Sequence, residues 1–195
     1  MRYYPAFLDL QSRSCVVVGG GALAWRKARV LQACGARVTI VSPEAVTALK
    51  RMAVRRQVVW HRRRFRRGDL RTAFLVVAAT DDQRVNQAVF AEASRLQRLM
   101  NVVDHPALCS FIVPSIMRRG RLTIAISTEG ASPALSRWIR LDLTKRYGPA
   151  FARLLQRMAV LRRQIHGQVK DPAVRKQRLE QLLRRELGHI RESPQ

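Results

Sequence analysis

Gly19, Gly20 and Gly21 close the apolar run that begins at Ser14 and stand directly before a helix-forming stretch that starts at Ala22. With Ala24 they make the spacing G-x-G-x-x-A, which suits a dinucleotide pyrophosphate. Gly19 permits the tight turn, Gly21 lets the backbone approach the phosphates, and Ala24 lets the helix pack closely on the strand. Ala22 and Leu23 fall in the first helical turn, where unpaired N–H groups and the positive end of the helix dipole favour an anion. A glycine turn without a ligand is the alternative; the strand–turn–helix context favours cofactor binding at Gly19, Gly20, Gly21, Ala22 and Leu23.

Other candidates fall where strands end. The second strand closes Val41-Ser42-Pro43-Glu44, without the acidic residue that usually holds an adenosine ribose. Ser42 can hydrogen-bond a ribose hydroxyl there with Pro43 beside it, and the lack of an arginine at position 42 leans towards NAD over NADP. Glu44 either reaches the ribose or serves as a first-turn helix carboxylate. Ala79-Thr80-Asp81-Asp82 follows the fourth strand. Thr80 is expected to line the cofactor site, with Thr80 or Asp81 capping the next helix and Asp82 structural. Asp104 and His105 follow the fifth strand, so each is either a proton-transfer group on the ligand side or a turn residue before Pro106.

The elements that must position these residues alternate. Strands are expected over Ser14–Gly19, Arg37–Val41, Val58–Trp60, Phe74–Ala79 and Leu99–Val103, with helices over Ala22–Ala33, from Pro43, and through Val85, Val89, Ala93 and Leu96. Such a βαβ rhythm implies a doubly wound parallel sheet. Beyond it, Phe111–Ile116 and Leu122–Ser127 read as a hairpin turning at Arg118-Arg119-Gly120, and Ser132-Pro133 opens a helix running to about Arg146. Two apolar helical stripes follow, Leu154/Met158/Leu161/Ile165 and Leu179/Leu182/Leu183/Leu187/Ile190, split by Asp171-Pro172. The expected class is therefore α/β: a Rossmann-like NAD-binding domain (1–112), a small β-hairpin/helix module for dimerisation and substrate (113–147), and a C-terminal helical region (148–195). Stripes this long need a partner, either the hairpin module or a second subunit.

The 195 residues, 47% of them hydrophobic, suffice for a buried core. The opening MRYYPAFLDL suggests neither a signal peptide nor a membrane span, and three scattered cysteines (Cys15, Cys34, Cys109) fit a reducing, cytoplasmic setting with structural thiols. No paired metal-ligand motif is present, so no metal site is assigned. The net charge of +24, carried mostly by arginine, suits nucleic acid, an anionic membrane or a small polycarboxylate, and equally suits a general compositional bias.

In order and spacing, these motifs resemble the precorrin-2 dehydrogenase/sirohydrochlorin ferrochelatase family. The match runs through Pro5-Ala6-Phe7-Leu8-Asp9-Leu10, Val17 to Gly21 with Arg26-Lys27-Ala28, Ala78 to Asp82 with Val85-Asn86, Asn101 to Asp104, Phe111 to Ser115, and Ser127 to Ala134. The resemblance implies NAD-dependent oxidation of precorrin-2 to sirohydrochlorin by an oxidoreductase, with insertion of ferrous iron (Fe2+, as substrate) giving sirohaem as a second, lyase activity. It implies Asp104 as the catalytic carboxylate of both steps. It also implies that Ser127, Thr128 and Ser132 receive the carboxylates of a tetrapyrrole, with Glu129 turned away, and that the chain forms a homodimer. Family relatives can carry a C-terminal methyltransferase domain; this chain ends before one, so methylation is expected from a separate protein. The rival readings are a non-catalytic NAD-sensing or nucleic-acid-binding Rossmann protein, though no DNA-reading motif is visible, and a dehydrogenase of another substrate.

Overall fold

The computed structural model describes residues 2–192, which divide into two compact units, the first ending at Ile112 and the second beginning at Val113. The first unit is built on β1 (Ser14–Val18), α1 (Ala22–Ala33), β2 (Arg37–Val41), α2 (Thr47–Val54), β3 (Val59–His61), β4 (Leu75–Ala78), α3 (Gln83–Arg95) and β5 (Leu99–Val102). All five strands are parallel in the order β3-β2-β1-β4-β5, so the chain reverses its winding direction between β1 and β4.

The apolar, β-branched run of β1 follows from its place at the centre of this sheet. Cys15 and Val17 pack with α1 and α2 residues such as Ala24, Ala28, Leu31 and Leu49. Val16 and Val18 point the other way, to Val89 and Ala93 of α3. A strand buried on both faces needs apolar residues at every position rather than alternation. Burial also pushes the Cys15 thiol up to about 11, with Cys34 adding to the shift, which suits a structural thiol. None of the three cysteines forms a disulfide.

The second unit holds an antiparallel hairpin, β6 (Ser115–Arg119) and β7 (Leu122–Ile126), then α4 (Pro133–Arg146), α5 (Pro149–Gln168) and α6 (Pro172–Glu192). Ser132 caps α4 by accepting from Leu135 N–H at 3.2 Å, and Asp171 receives Ala173 N–H at 2.7 Å at the start of α6. Leu154 and Ile165 bury one stripe, and Arg157 pairs with the buried Glu186 at 2.9 Å to join α5 to α6.

Three expectations need correction. The helix after β2 starts at Thr47, not Pro43, because residues 42–46 run beneath the glycine turn: Val46 N–H donates to Gly20 O and Ser42 Oγ to Glu44 O. Glu44 is therefore outside the helix. The first hairpin strand starts at Ser115 rather than Phe111, whose carbonyl instead accepts from Asn101 Nδ2 at 3.1 Å. The hairpin turns at Gly120-Arg121, since Arg119 still pairs with Leu122.

Candidate dinucleotide site

The three glycines turn out to have different reasons for being glycine. Gly19 has φ +125°, and a Cβ there would overlap the Ala79 carbonyl at the end of β4. At Gly20 a Cβ would overlap the Glu44 carbonyl. At Gly21 it would meet nothing within 4 Å, and the backbone (φ −79°, ψ −173°) is ordinary extended chain. The fold thus requires Gly19 and Gly20 but not Gly21, which leaves an open face where an external group can approach the backbone. Gly21 is also the N-cap of α1 and offers no side-chain acceptor, so the first-turn N–H groups, those of Ala22 and Leu23 among them, are open to a ligand anion. These features fit a pyrophosphate.

Beside this turn a cleft of about 190 Å³ crosses the carboxyl ends of β1, β2 and β4. Val18, Gly19, Val41, Ser42 and Pro43 form one side, and Thr80, Asp82 and Val85 another, with Arg64 and Phe65 contributed by the loop after β3. Ser42 is buried, and its hydroxyl is already engaged: it donates to Glu44 O at 2.7 Å and lies 3.3 Å from the donating Trp60 Nε1. Thr80 lines the cleft as expected, with Oγ1 accepting from Asp82 N–H at 3.2 Å. The cap of α3 is Asp82, not Thr80 or Asp81. It accepts from Arg84 and Val85 N–H at 2.9 and 3.2 Å, and it lines the cleft as well.

Asp104 follows β5 in a turn at φ +61°, a left-handed conformation that costs an Asp less than most residues. Its side chain is exposed. The turn is held from behind: Cys109 Sγ lies 3.2 Å from Val102 N, from which it accepts, and 3.3 Å from His105 O. From α1, the half-buried Lys27 ammonium comes within electrostatic reach of the Asp104 carboxylate. Burial first, then Arg26, push the Lys27 pKa down, while Cys109 and Asp104 oppose that shift. Sequence reasoning gave Lys27 no chemical role, and it passed over Arg64 and Phe65 inside the arginine run; only the fold separates these from their neighbours.

Ser127, Thr128 and Ser132 cluster in the second unit before α4. Thr128 Oγ1 accepts from Ser132 N–H at 3.2 Å and lies 3.1 Å from Ser136 Oγ, while Ser127 Oγ accepts from Glu129 N–H at 3.0 Å. Ser127 keeps its own proton for donation. Among the described residues, no group of three or more His, Cys, Asp or Glu could hold a metal ion.

A parallel sheet with a glycine turn under an uncapped helix N-terminus, and a cleft across its carboxyl edge at the winding reversal, defines a dinucleotide-binding protein of the Rossmann class. The family model described as putative NAD(P)-binding matches residues 6–115, and that described as sirohaem biosynthesis protein central matches residues 119–146. The chain is 39% identical over 187 residues to a sirohaem synthase of Nitrosospira multiformis, covering 94% of this chain and 40% of that protein. It is 42% identical over 143 residues to a sirohaem synthase of Mannheimia succiniciproducens, covering 73% of this chain and 30% of that protein. The solved structure of SirC, a precorrin-2 dehydrogenase, matches with a TM-score of 0.82 at 29% identity over 98% of this chain and 100% of that one. The chain belongs to the NAD(P)-binding family of sirohaem-biosynthesis proteins, the precorrin-2 dehydrogenase/sirohydrochlorin ferrochelatase family its motifs resemble. It spans 40% or less of the length of these sirohaem synthases.

Proposed function

We propose that this chain is an NAD-dependent oxidoreductase that converts precorrin-2 to sirohydrochlorin. The observation carrying the reading is the glycine that the fold does not need: Gly21 opens a face of backbone to an anion beneath the free N–H groups of α1, within a chain that aligns end to end with a precorrin-2 dehydrogenase. NAD, bound through Gly19 to Leu23 with its adenosine towards Ser42, Pro43 and Thr80, would supply the hydride acceptor. Oxidation removes a hydride and a proton from the substrate, and Asp104 is the group that accepts the proton. Lys27 beside it provides a compensating positive charge.

Ser127, Thr128 and Ser132 receive substrate carboxylates in this reading, Ser127 by donating its free hydroxyl proton. Ferrous iron insertion is the second step of the proposal: the same Asp104 carboxylate takes the pyrrole protons that the metal displaces. The chain acts in the cytoplasm as a homodimer formed by the hairpin–helix module 113–147 and the C-terminal helices. Two features support the dimer. Leu135, Trp138 and Leu141 lie exposed at helical spacing on α4, and a hollow of about 960 Å³ between α5 and α6 is floored by residues including Leu155, Met158, Leu179 and Leu183. No described helix is long and apolar enough to cross a membrane. The test is NADH formation by the purified chain given precorrin-2 and NAD; a folded protein that binds NAD but never reduces it would refute the activity.

A further inference from the structure

The adenosine end of the cleft lacks the group that ordinarily recognises an unphosphorylated ribose. In Rossmann units an Asp or Glu after the second strand takes the ribose hydroxyls, and an arginine nearby takes over where the 2′-hydroxyl is phosphorylated. Here the position after β2 is Ser42, whose hydroxyl proton is committed to Glu44 O. The acid in the lining, Asp82, is committed to the N-terminus of α3 through Arg84 and Val85 N–H. Neither group is arranged to select a bare ribose diol.

An arginine from the loop after β3 lines the same cleft, and its neighbours differ from it. Arg62 lies over the Trp60 ring at 5.9 Å, and Arg63 forms a two-point pair with Asp69 at 2.7 and 2.8 Å. Arg64 is an exposed residue of the cleft lining whose side chain makes no hydrogen bond or ion pair among the described residues, while its carbonyl accepts from Arg63 Nη1 at 3.0 Å. The loop presenting it is fixed on both sides. Phe65 packs into the core cluster against α3, and Asp69 receives Arg66 N–H at 2.9 Å in addition to Arg63. A fork of N–H donors on a fixed loop, in a cleft whose one lining acid, Asp82, is engaged by the N-terminus of α3, matches a phosphate monoester.

We infer that Arg64 makes this cleft a receptor for a 2′-phosphate, so that the protein binds NADP at least as tightly as NAD; the inference rests on the dinucleotide reading of the cleft proposed above. Arg64 is then the residue that sets cofactor preference. The absence of an arginine at position 42 does not argue against NADP, because the cation arrives from the β3–β4 loop.

Calorimetric titration of the whole chain with NAD and, separately, with NADP tests this without any tetrapyrrole. NADP should bind with a Kd equal to or below that of NAD. Arg64→Gln should lower the ratio of NADP to NAD affinity by about 10- to 100-fold, the range expected for one charged hydrogen-bonding contact. Arg64→Lys should keep part of that ratio, since an ammonium retains charge without the fork. A parent chain that binds NAD but not NADP, or an Arg64→Gln ratio equal to the parent's, overturns the inference and leaves the NAD reading standing. A folded chain that binds neither dinucleotide overturns both.

Discussion

Replacing Gly21 by Asp should separate folding from cofactor binding in one step, because the two respond with opposite sign. A side chain at position 21 enters open space from an ordinary extended backbone, so the fold has no steric objection. The position is also the N-cap of α1, where an Asp carboxylate can accept from the free first-turn N–H groups; relative to glycine this contributes about a few tenths of a kcal/mol of stability. The same carboxylate would lie against the dinucleotide's pyrophosphate. Two like charges about 5 Å apart at an effective dielectric near 20 repel by roughly 3 kcal/mol, more than a hundredfold in Kd before steric exclusion is counted. Thermal melting together with calorimetric titration of NAD reads both effects. Gly20→Ala is the contrast: its Cβ overlaps the Glu44 carbonyl, so this variant should lose stability itself, on the order of 1–3 kcal/mol or more. A Gly21→Asp protein that binds NAD like the parent would remove the turn from the cofactor site. One that melts well below the parent would refute the distinction drawn between the glycines.

Asp104→Asn should lower kcat for precorrin-2 oxidation by about 10²- to 10⁴-fold, with NAD affinity changed by less than about threefold; a parent-like rate would reduce Asp104 to a turn residue. The loop carrying Arg64 should loosen in acid. Burial raises the Asp69 pKa, but the Arg63 hydrogen bond, the Arg66 N–H and the charges of Arg63 and His61 together outweigh it, leaving the carboxyl below its ordinary 3.8. A carboxylate depressed on folding contributes stability that is fully present above 3.8 and is lost as pH falls through the folded value. Asp69→Asn should therefore flatten that acid limb in pH-dependent melting, and an unchanged limb would show the pair to be idle. Trp138→Glu, which puts a charge on the exposed apolar face of α4, should turn a dimer into a monomer by light scattering; a monomeric parent, or a variant that remains dimeric, would remove that face from the interface.

Much of the fold was legible because it is local. The β-branched strands around β1, the glycine turn and the Ala22–Ala33 helix all follow from periodicity and stop signals, and Ser132-Pro133 announces the start of α4. The misplacements have non-local causes. Pro43 looks like a helix start, but the chain after it is held extended by Val46 reaching Gly20 O, a contact with no trace in the local pattern. Phe111 looks like strand, but its carbonyl is taken by Asn101. The candidate turn Gly19 to Leu23 could be named from spacing, whereas Arg64 in the neighbouring cleft could not. Five arginines fall within residues 62–67; Trp60 and Asp69 occupy Arg62 and Arg63, and Arg64 is the one of the five that lines the cleft. The hydroxyl of Ser42 is likewise available by sequence alone, but in the fold Glu44 O, two residues on, takes its proton.

Mixing the purified protein with NAD and precorrin-2, and following NADH and sirohydrochlorin together, tests the proposed oxidation of precorrin-2 by hydride transfer to a nicotinamide dinucleotide held at Gly21. The two should appear in equal amounts with the parent chain, and neither should appear above background with Gly21→Asp. Parent protein that is folded and binds the dinucleotide, yet yields neither product, would contradict it.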